Sequence, residues 1–165
     1  MARTLYEYRP ATRQELEWLW EKDVAAHPGE EQWLQWRREY LENNRLGRCR
    51  TFAVLYRGEP VGQGTLLFSP RCSAVNGRQE LANGAGVANV NALRIEQAHR
   101  GRGHMAQLVR VMEQYAKTAG CRTLTIGVEA AQTKNLAIYL HWGYNRLITH
   151  AQEEGALVLY YAKAL

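Results

Sequence analysis

Three cysteines among 165 residues, with no Cys-x-x-Cys pair and no histidines at ligand spacing, exclude a disulfide scaffold and a structural zinc site. Cys49, Cys72 and Cys121 are expected to be free thiols, and no metal is expected. No stretch approaches the roughly eighteen consecutive apolar residues of a membrane-spanning helix, and no membrane partner is expected. The segment from Met1 to Glu7 has no apolar run of the kind that opens a signal peptide, so a cytoplasmic location is the expectation. There is no internal repeat and no low-complexity segment. Two phosphate-binding signatures are also missing. Ala106 stands where the dinucleotide fingerprint needs its third glycine, and no Gly-Lys-Ser/Thr ending marks a nucleotide-triphosphate loop. The excess of positive charge, +5, suits an anionic ligand but is too small and too dispersed to imply nucleic acid.

What remains is the stretch from Ala92 to Thr118. An apolar strand end, Ala92-Leu93-Arg94-Ile95, leads into Gln97-Ala98-His99-Arg100-Gly101-Arg102-Gly103-His104-Met105 and then a long helix. Two alternate glycines between arginines, feeding a helix start, can expose several backbone N–H groups to one anion at the positive end of the helix dipole. Glycine is expected there because side chains would obstruct the anion. The helix presents Met105, Leu108, Val109, Met112, Tyr115, Ala116 and Ala119 at three- and four-residue steps, and Gly120 stops it.

Along the rest of the chain, Thr4 to Tyr8 reads as a first strand ended by Pro10. A helix follows from Thr12, with a Thr12/Glu15 capping box and a Leu16, Leu19, Trp20, Val24 face. A second helix carries Trp33, Leu34, Trp36, Tyr40 and Leu41. This aromatic pair reads first as core packing. The alternative is a substrate wall in which Glu17, Glu21, Asp23, Glu30 and Glu31 could meet a cation. Arg50–Tyr56 and Val61–Phe68 form a hairpin, and Gly62 and Gly64 signal a bulge or a close backbone approach. Ser69 to Gly86 is polar and is expected to be a loop, open to mobility or a lid role. In the strand Val87–Ile95, Asn89 and Asn91 alternate in phase with Leu93 and Ile95. Either a bulge near Asn91 or Ala92 shifts the phase, or the asparagines line a wet cleft. Arg122–Val128 is a buried strand ending at Glu129. A short helix from Thr133 to His141, stopped by Gly143, precedes strands Tyr144–His150 and Ala156–Tyr161. His99 and His104 flank the cradle and read as solvated.

This order of elements, with Arg100-Gly101-Arg102-Gly103-His104-Met105, resembles the GNAT superfamily of acyl-CoA N-acyltransferases. The family signature is Arg or Gln, two residues, Gly, one residue, then Gly or Ala. Arg100 and Gly103 match, and Met105 replaces the last small residue. A second block, Asn135 to Tyr144, resembles the family's short helix, with Tyr139 four residues before the Gly143-Tyr144 pair and Gln132 where the family usually has Asn.

The resemblance implies an α/β (α+β) domain over residues 1–165, with a mixed central sheet of six to seven strands. Its mid-sheet strands would splay into the CoA cleft, with helices on both faces. Residues 1–49 would be the variable substrate wall and 50–165 the acyl-CoA-binding core. The implied reaction moves the acetyl group of acetyl-CoA to a primary amine by direct attack in a ternary complex. The backbone of Leu93 and Ile95, flanking Arg94, would pair with the pantetheine arm. The N–H groups of Arg102, Gly103, His104, Met105 and Ala106 would hold the pyrophosphate beside Gly101, with Arg100 and Arg102 as charge support and Gln132 and Asn135 as further cofactor contacts. Tyr139 would protonate the departing thiolate, and Glu129, or else Glu96, would serve the amine as base. A small-molecule or peptide amine is the expected partner, nucleic acid is not, and a homodimer is left open. The alternatives are a non-catalytic acyl-CoA-binding module and an acyltransferase acting on an RNA-linked amine.

Overall fold

The computed structural model describes residues 5–165. Its elements run β1 (Tyr6–Pro10), α1 (Arg13–Ala26), α2 (Glu31–Arg45), β2 (Cys49–Tyr56), β3 (Glu59–Leu67), β4 (Val87–Ile95), α3 (His104–Thr118), β5 (Thr123–Glu129), α4 (Thr133–His141), β6 (Arg146–Glu153) and β7 (Ala156–Ala164). A 3-10 turn, Gln97–His99, joins β4 to α3. The strands form one mixed sheet in the order β1-β2-β3-β4-β5-β7-β6, in which β4 and β5 are parallel while β1/β2, β5/β7 and β6/β7 are antiparallel. The chain divides into two compact units: residues up to Thr65 with Ala92–Met112, and Leu66–Asn91 with Glu113–Leu165.

In the first unit, β1 occupies the sheet edge. It starts at Tyr6 and carries Pro10 within the strand, opposite Phe52, where the expected strand stopped short of it. An edge position tolerates proline because one side of the strand needs no N–H donor. Thr4, the expected first residue of that strand, lies outside the described residues. The capping box forms as expected: Glu15 N–H donates to Thr12 Oγ1 at 3.2 Å and Thr12 N–H to Glu15 Oε1 at 2.9 Å. Helix α1 buries Leu16, Leu19 and Trp20, and Leu19 joins Ala11, Ala53 and Leu55 in a core cluster.

Gly62 and Gly64 mark a close approach. A Cβ at Gly64 would lie 2.7 Å from Leu93 Cδ2 and 2.9 Å from Met112 Sδ of α3, and one at Gly62 would lie 3.0 Å from the Arg94 carbonyl oxygen. Gln63, between them, points the other way and donates to Asp23 of α1 at 3.0 Å. Alternation along β3 therefore sets α3 against one face of the sheet and α1 against the other.

In the second unit, Leu124, Ile126 and Val128 of β5 are buried in phase, as expected. Residues 69–86 hold no helix or strand, as expected of a loop, but the segment is packed and not open. Successive turns bury Cys72, Val75, Leu81 and Ala82, and Thr125 Oγ1 donates to the Leu81 carbonyl at 2.8 Å. Their apolar residues follow no helix or strand period, which hides them from a periodicity reading. Asn89 does not line a wet cleft. It is buried and donates to Thr125 Oγ1 at 2.9 Å. On α3 the buried stripe is Leu108, Val109, Met112 and Ala116, while Tyr115, and Ala119 just past the helix end, are exposed. Tyr144 precedes β6 and is fully buried. Its hydroxyl donates to Glu113 at 3.0 Å, and Lys163 pairs with that carboxylate at 2.8 Å.

Candidate active site

The phase conflict in β4 is resolved at Ala92, whose φ of 54° is left-handed. A non-glycine residue there is unusual and strained by roughly 1–2 kcal/mol. The β4/β5 ladder runs from Val87↔Thr123 to Val90↔Ile126 and goes no further, although both strands continue. The irregularity thus falls where the alternation places it. After it, Leu93 and Ile95 face the α3 side, toward Gly64 and Gly62 respectively.

Five residues past Ile95 the cradle begins. Gly101 and Gly103 have φ of 75° and 80°, and α3 starts at His104. A Cβ at either glycine would meet no atom of the chain within 4 Å. The left-handed backbone, and not crowding by the chain, is what calls for glycine. The first helical N–H to find an acceptor across this boundary is that of Gln107, bonded to the Gly103 carbonyl at 3.1 Å. Helix geometry therefore leaves the N–H groups of His104, Met105 and Ala106 without intrahelical acceptors at the positive end of the α3 dipole. Met105 occupies the helix's first turn, so its larger side chain leaves this backbone set in place. Arg100 folds back so that its Nε donates to the Ile95 carbonyl at 3.0 Å, and Arg102 is exposed.

The two cradle histidines are packed, which corrects the solvated reading. His104 is buried, its Nδ1 lies 2.7 Å from the Tyr8 hydroxyl and its ring stacks on Tyr6 at 3.9 Å. His99 Nδ1 lies 2.7 Å from the Tyr6 hydroxyl. Burial, aided by His99 and Arg102, holds His104 below the ordinary histidine range. Two tyrosines of the edge strand thus pin the start of α3. A strand as short as β1 gave no pattern from which this could be read.

The second unit brings Glu129, Gln132 and Asn135 together at the β5–α4 junction and carries Tyr139 further along α4. The Glu129 carbonyl accepts the Gln132 N–H at 2.9 Å, and Asn135 Nδ2 donates to Gln132 Oε1 at 3.1 Å. Glu129 is exposed at the strand end. Tyr139 is half-buried against Trp142, with ring centroids 5.6 Å apart, and burial raises its phenol above the ordinary value, which keeps it protonated. The Gly143-Tyr144 pair closes α4: Gly143 takes a φ of 98°, its N–H donates to the Leu140 carbonyl and Tyr144 N–H to the Tyr139 carbonyl, both at 3.0 Å. This is a Schellman cap, and it fixes the turn that carries Tyr139. Glu96, the second candidate base, is paired with Lys22 at 2.5 Å.

A further arrangement in the first unit escaped the sequence. Asp23, offered as one of several groups to meet a cation, is already engaged. Arg94 donates to its Oδ2 at 2.8 Å, and the guanidinium lies 4.9 Å from the ring of Trp20 and 5.3 Å from that of Trp33. The available signal was an arginine in a strand, out of phase with Leu93 and Ile95.

A kinked strand, a left-handed glycine turn and an amphipathic helix whose first-turn amides have no intrahelical acceptor define an α/β protein with a backbone cradle suited to an anionic group. The chain belongs to the acetyltransferase (GNAT) family, whose model matches residues 12–144. Solved structures agree on the fold. A ribosomal-protein-alanine N-acetyltransferase from Brucella melitensis superposes with a TM-score of 0.71 at 18% identity, over 96% of this chain and 99% of that one. An acetyltransferase from Salmonella typhimurium that modifies the N-terminal serine of ribosomal protein L7/L12 gives 0.69 at 15%, over 99% and 96%. A GNAT family acetyltransferase from Elizabethkingia anophelis with acetyl-CoA bound gives 0.62 at 16%, over 99% and 100%. The seven-stranded mixed sheet with four helices is the fold these proteins share. No protein of curated function matches the sequence significantly.

Proposed function

We propose that the protein is an acetyl-CoA-dependent N-acetyltransferase in which a primary amine attacks the acetyl carbonyl directly in a ternary complex. The observation that carries this reading is the cradle: two left-handed glycines opening α3 immediately after the kinked end of β4. The residues fit the coenzyme. The N–H groups of Arg102 to Ala106 suit a pyrophosphate, with Gly101 shaping the turn and Arg100 and Arg102 adding positive charge. Bound acetyl-CoA supplies the activated acyl group and a thiolate leaving group.

Beyond the kink at Ala92, the backbone of Leu93 and Ile95, flanking Arg94, pairs with the pantetheine arm as an added strand pairs with a sheet edge. A backbone N–H at the kink stabilises the oxygen on which charge develops. Gln132 and Asn135 add polar contacts to the coenzyme. Tyr139, held protonated by burial, gives its proton to the departing thiolate. Glu129, exposed at the end of β5, takes the amine's proton through water, which is needed because an alkyl ammonium has a pKa of about 10.4. Glu96 is the poorer choice because Lys22 holds it. Residues 1–49 serve as the substrate wall and 50–165 as the acyl-CoA core of one domain. Similar structures include acetyltransferases of ribosomal proteins, which supports peptide amines alongside small molecules as acceptors. The test is acetyl-CoA consumption across small amines, peptides and polyamines. Turnover with one class is expected. CoA binding with no turnover on any acceptor would instead make this a binding module.

A further inference from the structure

An acidic side chain together with two tryptophan rings makes a box for a cation, and here the chain fills that box with its own guanidinium. Arg94 projects from β4, two residues past the kink, toward Asp23, Trp20 and Trp33. This residue is on the face opposite Leu93, Gly64 and Met112. Asp23 Oδ2 takes both the Arg94 bond and the Gln63 amide bond at 3.0 Å. The guanidinium is held against two adjacent aromatic rings and at one end by Asp23, while about a third of the side chain stays exposed. The cluster is also short of acceptors. Trp20 Nε1 and Arg94 Nε are buried donors without a partner, against a single unpartnered acceptor, Gln63 Oε1.

We propose that Arg94 selects the acceptor, and that the enzyme prefers amines carrying a carboxylate a few bonds from the nitrogen: amino acids or acidic peptides. With the box occupied from within, a cationic substrate finds its site taken. An anionic one finds a guanidinium whose stacking has already removed most of its rotamer freedom, and carboxylates bind such a fork in pairs of parallel hydrogen bonds. The position follows from the proposed reaction, on which this inference rests, because the coenzyme's arm runs along the backbone of Leu93 and Ile95 while the Arg94 side chain leaves toward the helix wall.

The test is calorimetric and needs no turnover. The probes are N-acetylglycine, N-acetyl-β-alanine and N-acetylaspartate, each against its carboxamide, titrated with and without saturating CoA. The acids are expected to bind at least about tenfold tighter than the amides, which is about 1.4 kcal/mol. Arg94→Met should bring the ratio to about one and Arg94→Lys should leave it intermediate. Asp23→Asn, which keeps the guanidinium and removes its internal anion, should hold or widen the preference and covers the case in which Arg94→Met does not fold. Equal binding of acids and amides by the wild type, or a preference that survives in Arg94→Met, overturns the proposal. A separate CoA titration distinguishes this from failure of the acetyltransferase reading: absent CoA binding removes that reading, whereas a lost acid preference with CoA binding intact removes only the role of Arg94.

Discussion

Tyr139 and His104 show how burial gives two ordinary side chains different tasks. With reference values near 10 for tyrosine and about 8.5 for a thiol, proton transfer from Tyr139 is uphill by roughly 2 kcal/mol before burial, which raises the phenol further, is counted. Positioning can offset a barrier of that size. Tyr139→Phe should lower kcat by roughly 100-fold with CoA affinity little changed. Steady-state rates with a CoA titration check this, and an unchanged kcat would take Tyr139 out of the mechanism. For His104 the folded state holds the imidazole below its ordinary value of 6.5, so the unfolded chain binds the proton more readily. Stability is then present above the unfolded value and is lost as pH falls from about 6.5 through the folded value. Melting temperature measured from pH 7.5 to 5 should fall more steeply for the wild type than for His104→Gln.

At the scale of elements, β4 is the strand whose pattern and conformation diverge. Asn89 and Asn91 share a phase with Leu93 and Ile95, and one left-handed residue between them separates a buried, hydrogen-bonded half from a half that faces α3. Ala92 carries that strain without the freedom of glycine. Ala92→Gly should therefore raise stability by roughly 1 kcal/mol, and Ala92→Val should lower it by at least as much. Urea unfolding of the three proteins measures both. A loss of stability in Ala92→Gly would show that the left-handed backbone is not strained there. Much of this was legible beforehand: the alternation located the irregularity, the α3 stripe and Gly120 bounded the helix, and the Thr133–His141 helix matched its expected ends. Residues 69–86 and the packing of His99 and His104 were not, because tertiary neighbours distant in sequence create them and local periodicity records only nearest faces.

For the molecule as a whole, a cradle built from backbone amides predicts a ligand effect that does not depend on any one side chain. CoA at a hundred times its dissociation constant should stabilise the protein by about 2.7 kcal/mol, seen as a rise of several degrees in melting temperature. Adenosine, which lacks the pyrophosphate, should give little of that rise. An equal shift from both ligands would remove the cradle from coenzyme binding.

The sequence by itself determined the order of elements, the glycine turn opening α3, the position of the kink in β4 and the two blocks that carry the family. Each of these depends on residues close along the chain, where alternation, helical spacing and the tolerance of glycine for left-handed backbone act directly. Only the tertiary structure decided what those elements enclose: that tyrosines of β1 hold the cradle's histidines, and that Arg94 fills the box of Asp23 and two tryptophans. Charge and aromatic pairing act through space between residues some seventy to ninety-six positions apart, and a one-dimensional pattern holds no record of which partner is met.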